Sequence, residues 1–428
     1  MSADLIIRGG RVIDPLNNRD ETVDLFVSNG VVRENPEPSA QKNVREIDAS
    51  GKIVSPGFID LRAHLREPGG GGRESIASGS AAAAAGGFTT LVCMPDVTPS
   101  ADNPGTIRYV HDAIAKAASV NILPAGCMTI GGRGEFLAPI GSLKQAGVVA
   151  LTDCPNVVQN NEVFRRILEY STMFDLPIFE CPYDSALNEG AVAHEGIVSL
   201  RLGLRGSPRV SEELGVSRTV LMAESTGARV HLQSLSASGS VEILRRAKER
   251  GIHITADVTP HHLAFNDAVL SDYNPDFKVS PPIREECDRM ALAEGLLDGT
   301  IDSISSAHEP YLRHEKDMEF DLAPFGVIGL ETALPACLNS FVEEGPGDYA
   351  ALISALSSKP AAILGLDKGR LSPGDIADIT IFDPNQAWTV ESESLESLSF
   401  NTPWAGKELL GRVTHLVVAG KVVRGETL

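Results

Sequence analysis

The stretch Phe58-Ile-Asp60-Leu-Arg62-Ala-His64-Leu-Arg66-Glu-Pro-Gly69 concentrates the side chains best suited to chemistry. An imidazole can ligate a metal or carry a proton, and a guanidinium grips carboxylates but has no lone pair to offer a cation. Phe58 to His64 reads as a short buried strand entered through Pro56-Gly57. Side chains alternate along a strand, so Asp60, Arg62 and His64 are expected on one face at its C-terminal end. Polar groups buried on one face need partners or a site. Further carboxylates, thiols and imidazoles follow: Asp153-Cys154, Cys181, His231 before Ser234, His261-His262, and His308 after Ala307.

Such groups must be held on strand ends, and the sequence supplies strands in regular supply. Thr89–Met94, Val120–Pro124, Val148–Leu151, Leu176–Glu180, Arg229–Leu232, Ile252–Asp257 and Ser303–Ser306 read as strands. Helical patterns separate many of them, at 107–118, 162–173, 217–226, 241–250 and 288–297. This alternation implies an α/β fold with a parallel sheet inside its helices. About 300 residues of it fit a (β/α)8 barrel, with a doubly wound open sheet as the alternative. Both ends differ from the middle. Residues 4–54 read as short strands with a hairpin at Asn29-Gly30, and 378–383 and 415–423 read as strands near the C-terminus. Neither end completes a sheet alone, so the two are expected to form one small β domain. The expected division is 1–55 and 360–428 for that domain, with 56–359 for the barrel.

The net charge of -20 argues against nucleic acid and against anionic membrane as partners. The six cysteines form no Cys-x-x-Cys pair and sit in apolar contexts, as expected of reduced thiols in a cytoplasm. No basic region leads into a long apolar run at Met-Ser-Ala-Asp-Leu-Ile-Ile, so no signal peptide is expected.

Several motifs resemble those of the dihydroorotases, in the cyclic amidohydrolase group. Leu65-Arg66-Glu-Pro-Gly69, Met94-Pro-Asp96-Val-Thr-Pro99, Thr259-Pro-His-His-Leu263, Lys278-Val-Ser280-Pro-Pro-Ile-Arg284 and Pro324-Phe-Gly-Val-Ile-Gly-Leu-Glu-Thr332 carry the resemblance, which covers essentially the whole chain. It implies an amidohydrolase (β/α)8 barrel flanked by a β-sandwich closed from both termini. It also implies a binuclear zinc site in which metals activate a hydroxide and an aspartate shuttles the proton.

The departures fall on that site. The family's first two histidines, one residue apart, are here Arg62 and His64. Its pair of adjacent aspartates is Asp153-Cys154, and the register leaves open which of the two takes the bridging position. A ligand histidine past Pro177 is Cys181, another is Ser234, and the catalytic aspartate is Ala307. The resemblance makes Arg66 a binder of the substrate carboxylate. Asp96 stands for an asparagine there, and its charge would repel an anion. Pairing of Arg66 with Asp60, Asp96 or Glu67 explains the arginine equally well.

The resulting expectation is a dihydroorotase homologue that has lost its catalytic centre, with no cofactor. By resemblance it is a non-catalytic, cytoplasmic subunit that supports assembly of aspartate transcarbamoylase in a homo- or hetero-oligomer. His231, His261 and His262 are expected to be structural, and His308 to lie in a loop. Cys154 and Cys181 are most simply small apolar fillers. The alternative is an active zinc-dependent dihydroorotase or related cyclic amidohydrolase with an unorthodox metal site, using His64, Cys154 and Cys181.

Overall fold

The computed structural model describes residues 4–34 and 44–427. Met1 to Ala3, part of the segment read for a leader, lie outside it. The two chain ends meet in one sheet. Leu5–Asp14, Arg19–Ser28, Val31–Arg33, Arg45–Asp48 and Ile53–Pro56 share an eight-stranded sheet with Ile379–Thr389, Glu408–Val418 and Lys421–Arg424. The join is antiparallel pairing of Ile379–Phe382 with Ile53–Pro56. Leu5, Ile7, Val12, Leu25 and Val54 pack there against Ile379, Ile381 and Val417.

The Asn29-Gly30 turn forms as expected. Both residues are left-handed, at φ 53° and 76°, which is the geometry a two-residue hairpin requires. Where short strands are expected, Leu5–Asp14 is one longer strand. Its pairing shifts between Ile7 and Gly10, so the glycines make a bulge and not a break.

Eight further strands run parallel in chain order: Phe58–Ala63, Phe88–Cys93, Asn121–Gly126, Ala150–Leu151, Ile178–Glu180, Val230–Leu232, Ile254–Val258 and Ser303–Ile304. The first and last edges approach where the His64 amide donates to the His308 carbonyl at 2.8 Å. The fold is therefore the nearly closed barrel expected, carrying a β-sandwich made from both termini. Ile59, Leu61, Val92 and Phe179 pack with Ala361 and Leu364 of the helix Ser358–Leu364. The alanine-rich helix Ile76–Gly86 packs as closely as its small residues suggest: a Cβ on Gly86 would lie 2.0 Å from the Leu330 carbonyl oxygen. Among the described residues no helix is long and apolar enough to cross a membrane.

Candidate functional site

In such barrels the C-terminal strand ends face the site. Arg62 stands at that end of the first barrel strand and is only 3% exposed. Its Nη1 donates to the Ser234 hydroxyl at 2.8 Å, just past the strand Val230–Leu232. Nη2 lies 4.0 Å from Glu309 Oε2, and Nε is buried with no partner. Burial opposes the charge of this guanidinium. The surrounding Cys154, Cys181, Glu309 and Asp257 outweigh burial and raise its pKa, so it stays charged.

Strict alternation does not hold at this strand end. Pairing with the neighbouring strand is irregular between Asp60 and Ala63. Asp60, Arg62 and His64 accordingly find three different partners and not one shared row. The Asp60 carboxylate accepts from the amide and hydroxyl of Ser306, both at 2.7 Å. Burial pushes its pKa up to about 7.

His64 is fully buried and gives Nδ1 to Asp96 Oδ1 at 2.8 Å. Arg66 gives Nη1 to the other oxygen of the same carboxylate at 2.5 Å, and Nη2 to Glu309 at 3.3 Å. Of the local partners considered for Arg66, Asp96 is the one that forms. Burial alone would lower the imidazole pKa, but Asp96 and Glu309 outweigh it and hold His64 up at about 9. His64 Nε2, on the side of the Cys154 thiol, is buried without a hydrogen-bond partner.

Asp153 and Cys154 point to different neighbours. Asp153 accepts from the Met128 and Thr129 amides at 2.8 and 3.1 Å and from the Thr129 hydroxyl, so its carboxylate is spent on a neighbouring loop. Cys154 instead adjoins Arg62, His64 and Cys181. Both thiols pack, as small apolar groups would, in the cluster with Ile59, Leu61, Val92 and Phe179. The Cys181 thiol donates to the Gln233 side-chain oxygen at 3.6 Å, and the nearby Cys154 holds the Cys181 pKa down while its own is raised.

Ala307 presents a methyl group, 8% exposed. His231 is a satisfied core residue, with Nδ1 on Thr255 and Nε2 on Asp257, each at 2.9 Å. His262 is likewise held by Thr259 and the Pro281 carbonyl. His308 departs from the loop expected. It is 1% exposed, pairs with Glu74 at 3.1 Å and accepts from the Gly329 amide, because its backbone adjoins the first barrel strand. Sequence reasoning missed the role of Glu309, whose carboxylate meets Arg66 and Tyr311 and faces Arg62.

Three of the eight left-handed non-glycine residues among those described are Arg66, Ser234 and Ala307, at φ 56°, 57° and 49°. Such conformations cost on the order of 1–3 kcal/mol each and collect at functional sites. A cavity of about 740 Å³ opens here, with Arg62, Cys181, Gln233, Ser234, Lys278 and Glu309 in its wall. Among the described residues, the group of His, Cys, Asp or Glu side chains drawn tightly enough to hold an ion is His194, Glu285 and Asp288, whose ligand atoms lie within 4.8 Å of one another. Arg209 already pairs with both of those carboxylates. His64, Cys154 and Cys181 are not drawn together that closely.

Asp96→Asn should destabilise the protein by about 3 kcal/mol, because it leaves a buried cation unpaired. The His64 pKa is raised from 6.5 to about 9, so its share of the stability is fully present below pH 6.5 and is lost as pH rises through 9. In urea unfolding, the gap between wild type and variant should therefore be widest just below pH 6.5. It should narrow toward pH 9, where only the Arg66 share persists.

Two family models match the chain: "Dihydro-orotase-like" over residues 51–240 and "Amidohydrolase family" over 184–423. A protein named dihydroorotase from Pelobacter propionicus is 44% identical over 420 residues, covering 98% of this chain and 99% of that one. A protein of the same name from Pelotomaculum thermopropionicum is 42% identical over 419 residues, covering 98% of each. Among solved structures, an L-hydantoinase from Arthrobacter aurescens superposes with a TM-score of 0.89 at 23% identity, covering 100% of this chain and 97% of that one. A D-hydantoinase from Bacillus sp. AR9 gives 0.84 at 22%, covering 98% and 95%. At such identities the structural likeness speaks for the fold.

Proposed function

The chain belongs to the dihydroorotase-like amidohydrolases, and we propose that it is a member whose hydrolytic centre has been dismantled and which acts as a non-catalytic subunit in pyrimidine biosynthesis. The observation that carries this reading is the 2.8 Å bond from Arg62 to Ser234. The family resemblance gives both positions to zinc-binding histidines. Here a fixed cation bonds to a hydroxyl in their place.

The donor set does not fit two zinc ions. Arg62 has no lone pair and would repel a metal. Asp153, the carboxylate beside Cys154, is turned to Met128 and Thr129. Ala307 has no group to carry the proton that amide hydrolysis must move. His64, one of two imidazoles expected on the first strand, is held protonated at neutral pH by Asp96 and Glu309. The barrel around these losses is complete, which suits a role played by the surface.

The partner is aspartate transcarbamoylase, and this assignment rests on the family resemblance. The test is sizing of that enzyme with and without this chain. Co-elution in an assembly larger than the transcarbamoylase alone is expected. His64→Ala and Asp153→Ala should leave it intact, apart from any stability cost. Separate elution would remove the subunit reading.

A second reading has one observation in its favour. The unpartnered Nε2 of His64 faces Cys154, and Cys154 adjoins Cys181. An imidazole and two thiols form a sensible set for a single zinc ion. One zinc per chain that disappears in Cys154→Ala or Cys181→Ala would favour it.

A further inference from the structure

We propose that Cys154 and Cys181 are a peroxide-sensitive thiol pair that closes into a reversible disulfide at the barrel mouth. The inference goes beyond the subunit reading and does not depend on it.

The register of the barrel brings the two sulfurs together. Strands Ala150–Leu151 and Ile178–Glu180 run side by side in parallel, with Leu151 opposite Ile178. Cys154 and Cys181 each lie three residues past that pair, so they take matching positions at neighbouring strand ends. Alternation puts both on the face that carries Ala150 and Phe179, and all four side chains share one buried cluster. Adjacent strands lie about 4.8 Å apart, within the roughly 4.4–6.8 Å between α carbons that a disulfide spans. The two thiols stand close enough to act on one another.

The other four cysteines are not placed in this way. Cys93 stands opposite Pro124, three residues before Cys127. Cys337 ends the buried helix Ala333–Cys337, and Cys287 is exposed on the helix Glu286–Leu297.

Access differs between the partners and sets the order of events. Cys181 is 9% exposed and belongs to the wall of the 740 Å³ cavity. Cys154 is 1% exposed and is not part of that wall. A small solute entering the cavity therefore meets Cys181 first. The Gln233 side-chain oxygen fixes that thiol at 3.6 Å, and the guanidinium charge of Arg62 stands beside both sulfurs, which favours the reactive anion.

The oxidant is hydrogen peroxide. The Cys181 sulfur attacks one peroxide oxygen, an S–O bond forms, the O–O bond breaks, and the departing hydroxide leaves as water with the thiol proton. The Cys154 sulfur then attacks the Cys181 sulfenic acid. The S–S bond forms, the S–O bond breaks, and the second hydroxide leaves as water with the Cys154 proton. Two thiols are oxidised by two electrons in all, and one peroxide is reduced to two waters. A dithiol reverses the change by exchange.

The test treats the purified full-length chain with hydrogen peroxide in the presence of a chelator, so that zinc cannot hold the thiols. Remaining thiols are alkylated, and the unreduced protein is digested and mapped by mass spectrometry. The Cys154 and Cys181 peptides should appear joined, and dithiothreitol added to the native chain should return both as free thiols. In Cys154→Ser the Cys181 sulfenic acid has no partner and should be captured by dimedone, whereas in Cys181→Ser the buried Cys154 should stay reduced. The wild-type map decides the matter alone if either variant fails to fold. Both thiols still alkylated after peroxide, Cys181 joined to a different cysteine, or Cys181 carried to the sulfinic acid while Cys154 stays a thiol would each overturn the proposal. No transcarbamoylase is present in the experiment, so its failure leaves the subunit reading as it was.

Discussion

Dihydroorotate incubated with the purified chain is expected to hydrolyse no faster than in a blank. Opening a cyclic amide at neutral pH in this family requires metals that lower the pKa of a bound water and polarise the carbonyl. Arg62 stands where a metal ligand would be, bonded to Ser234, and it brings a positive charge to the place a cation would occupy. On the proposed reading the proton shuttle is missing too, since Ala307 offers only a methyl group. Ala307→Asp therefore should not restore turnover. A general acid or base is worth about 10²–10⁴-fold, but only once a nucleophile exists for it to assist. Measurable hydrolysis by the wild type, free of contaminating enzyme, would count directly against a dismantled centre. Rescue by the single substitution would show that the hydroxide was there all along.

Removal of residues 365–428 should abolish soluble expression. The lost segment carries the strands Ile379–Thr389, Glu408–Val418 and Lys421–Arg424, all in the sheet begun by the N-terminus. Ile379, Ile381 and Val417 are fully buried against Leu5, Ile7, Val12 and Val54. Each large apolar side chain so exposed forfeits about 1.5–3 kcal/mol. Several of them together match the 5–15 kcal/mol or so by which a typical protein is stable. The cut also bares the edge of Ile53–Pro56, a strand ready to pair with another copy. The soluble fraction and size-exclusion profile of the truncation decide the matter. A soluble, monodisperse product would mean that the N-terminal strands need no C-terminal partner.

The barrel was legible because hydrophobic alternation and helical periodicity are local signals, and so was the sheet shared by the two ends. Element boundaries were less so. The helix expected at 217–226 begins at Arg209, straight after Pro208, and its first turns bury Ser211 and Glu212, which a search for apolar periodicity passes over. In the site, the substituted positions could be read one by one, but their mutual arrangement could not. Arg62 and Ser234 are 172 residues apart, and nothing local shows that one bonds the other. Asp153 and Cys154 are adjacent, so the choice between them depended on where Thr129 lies. Asp96 was read as a repeller of anions, and it is the carboxylate that joins His64 to Arg66. His308 was read as a loop residue, and its burial came from the approach of the barrel's two edges.

The central claim is that this barrel no longer holds the metals of a hydrolase. Elemental analysis of the purified, chelator-free protein tests it most directly. The donor set at Arg62, His64, Cys154, Cys181, Ser234 and Ala307 predicts well under one zinc per chain. Two tightly held zinc ions per chain would contradict the account.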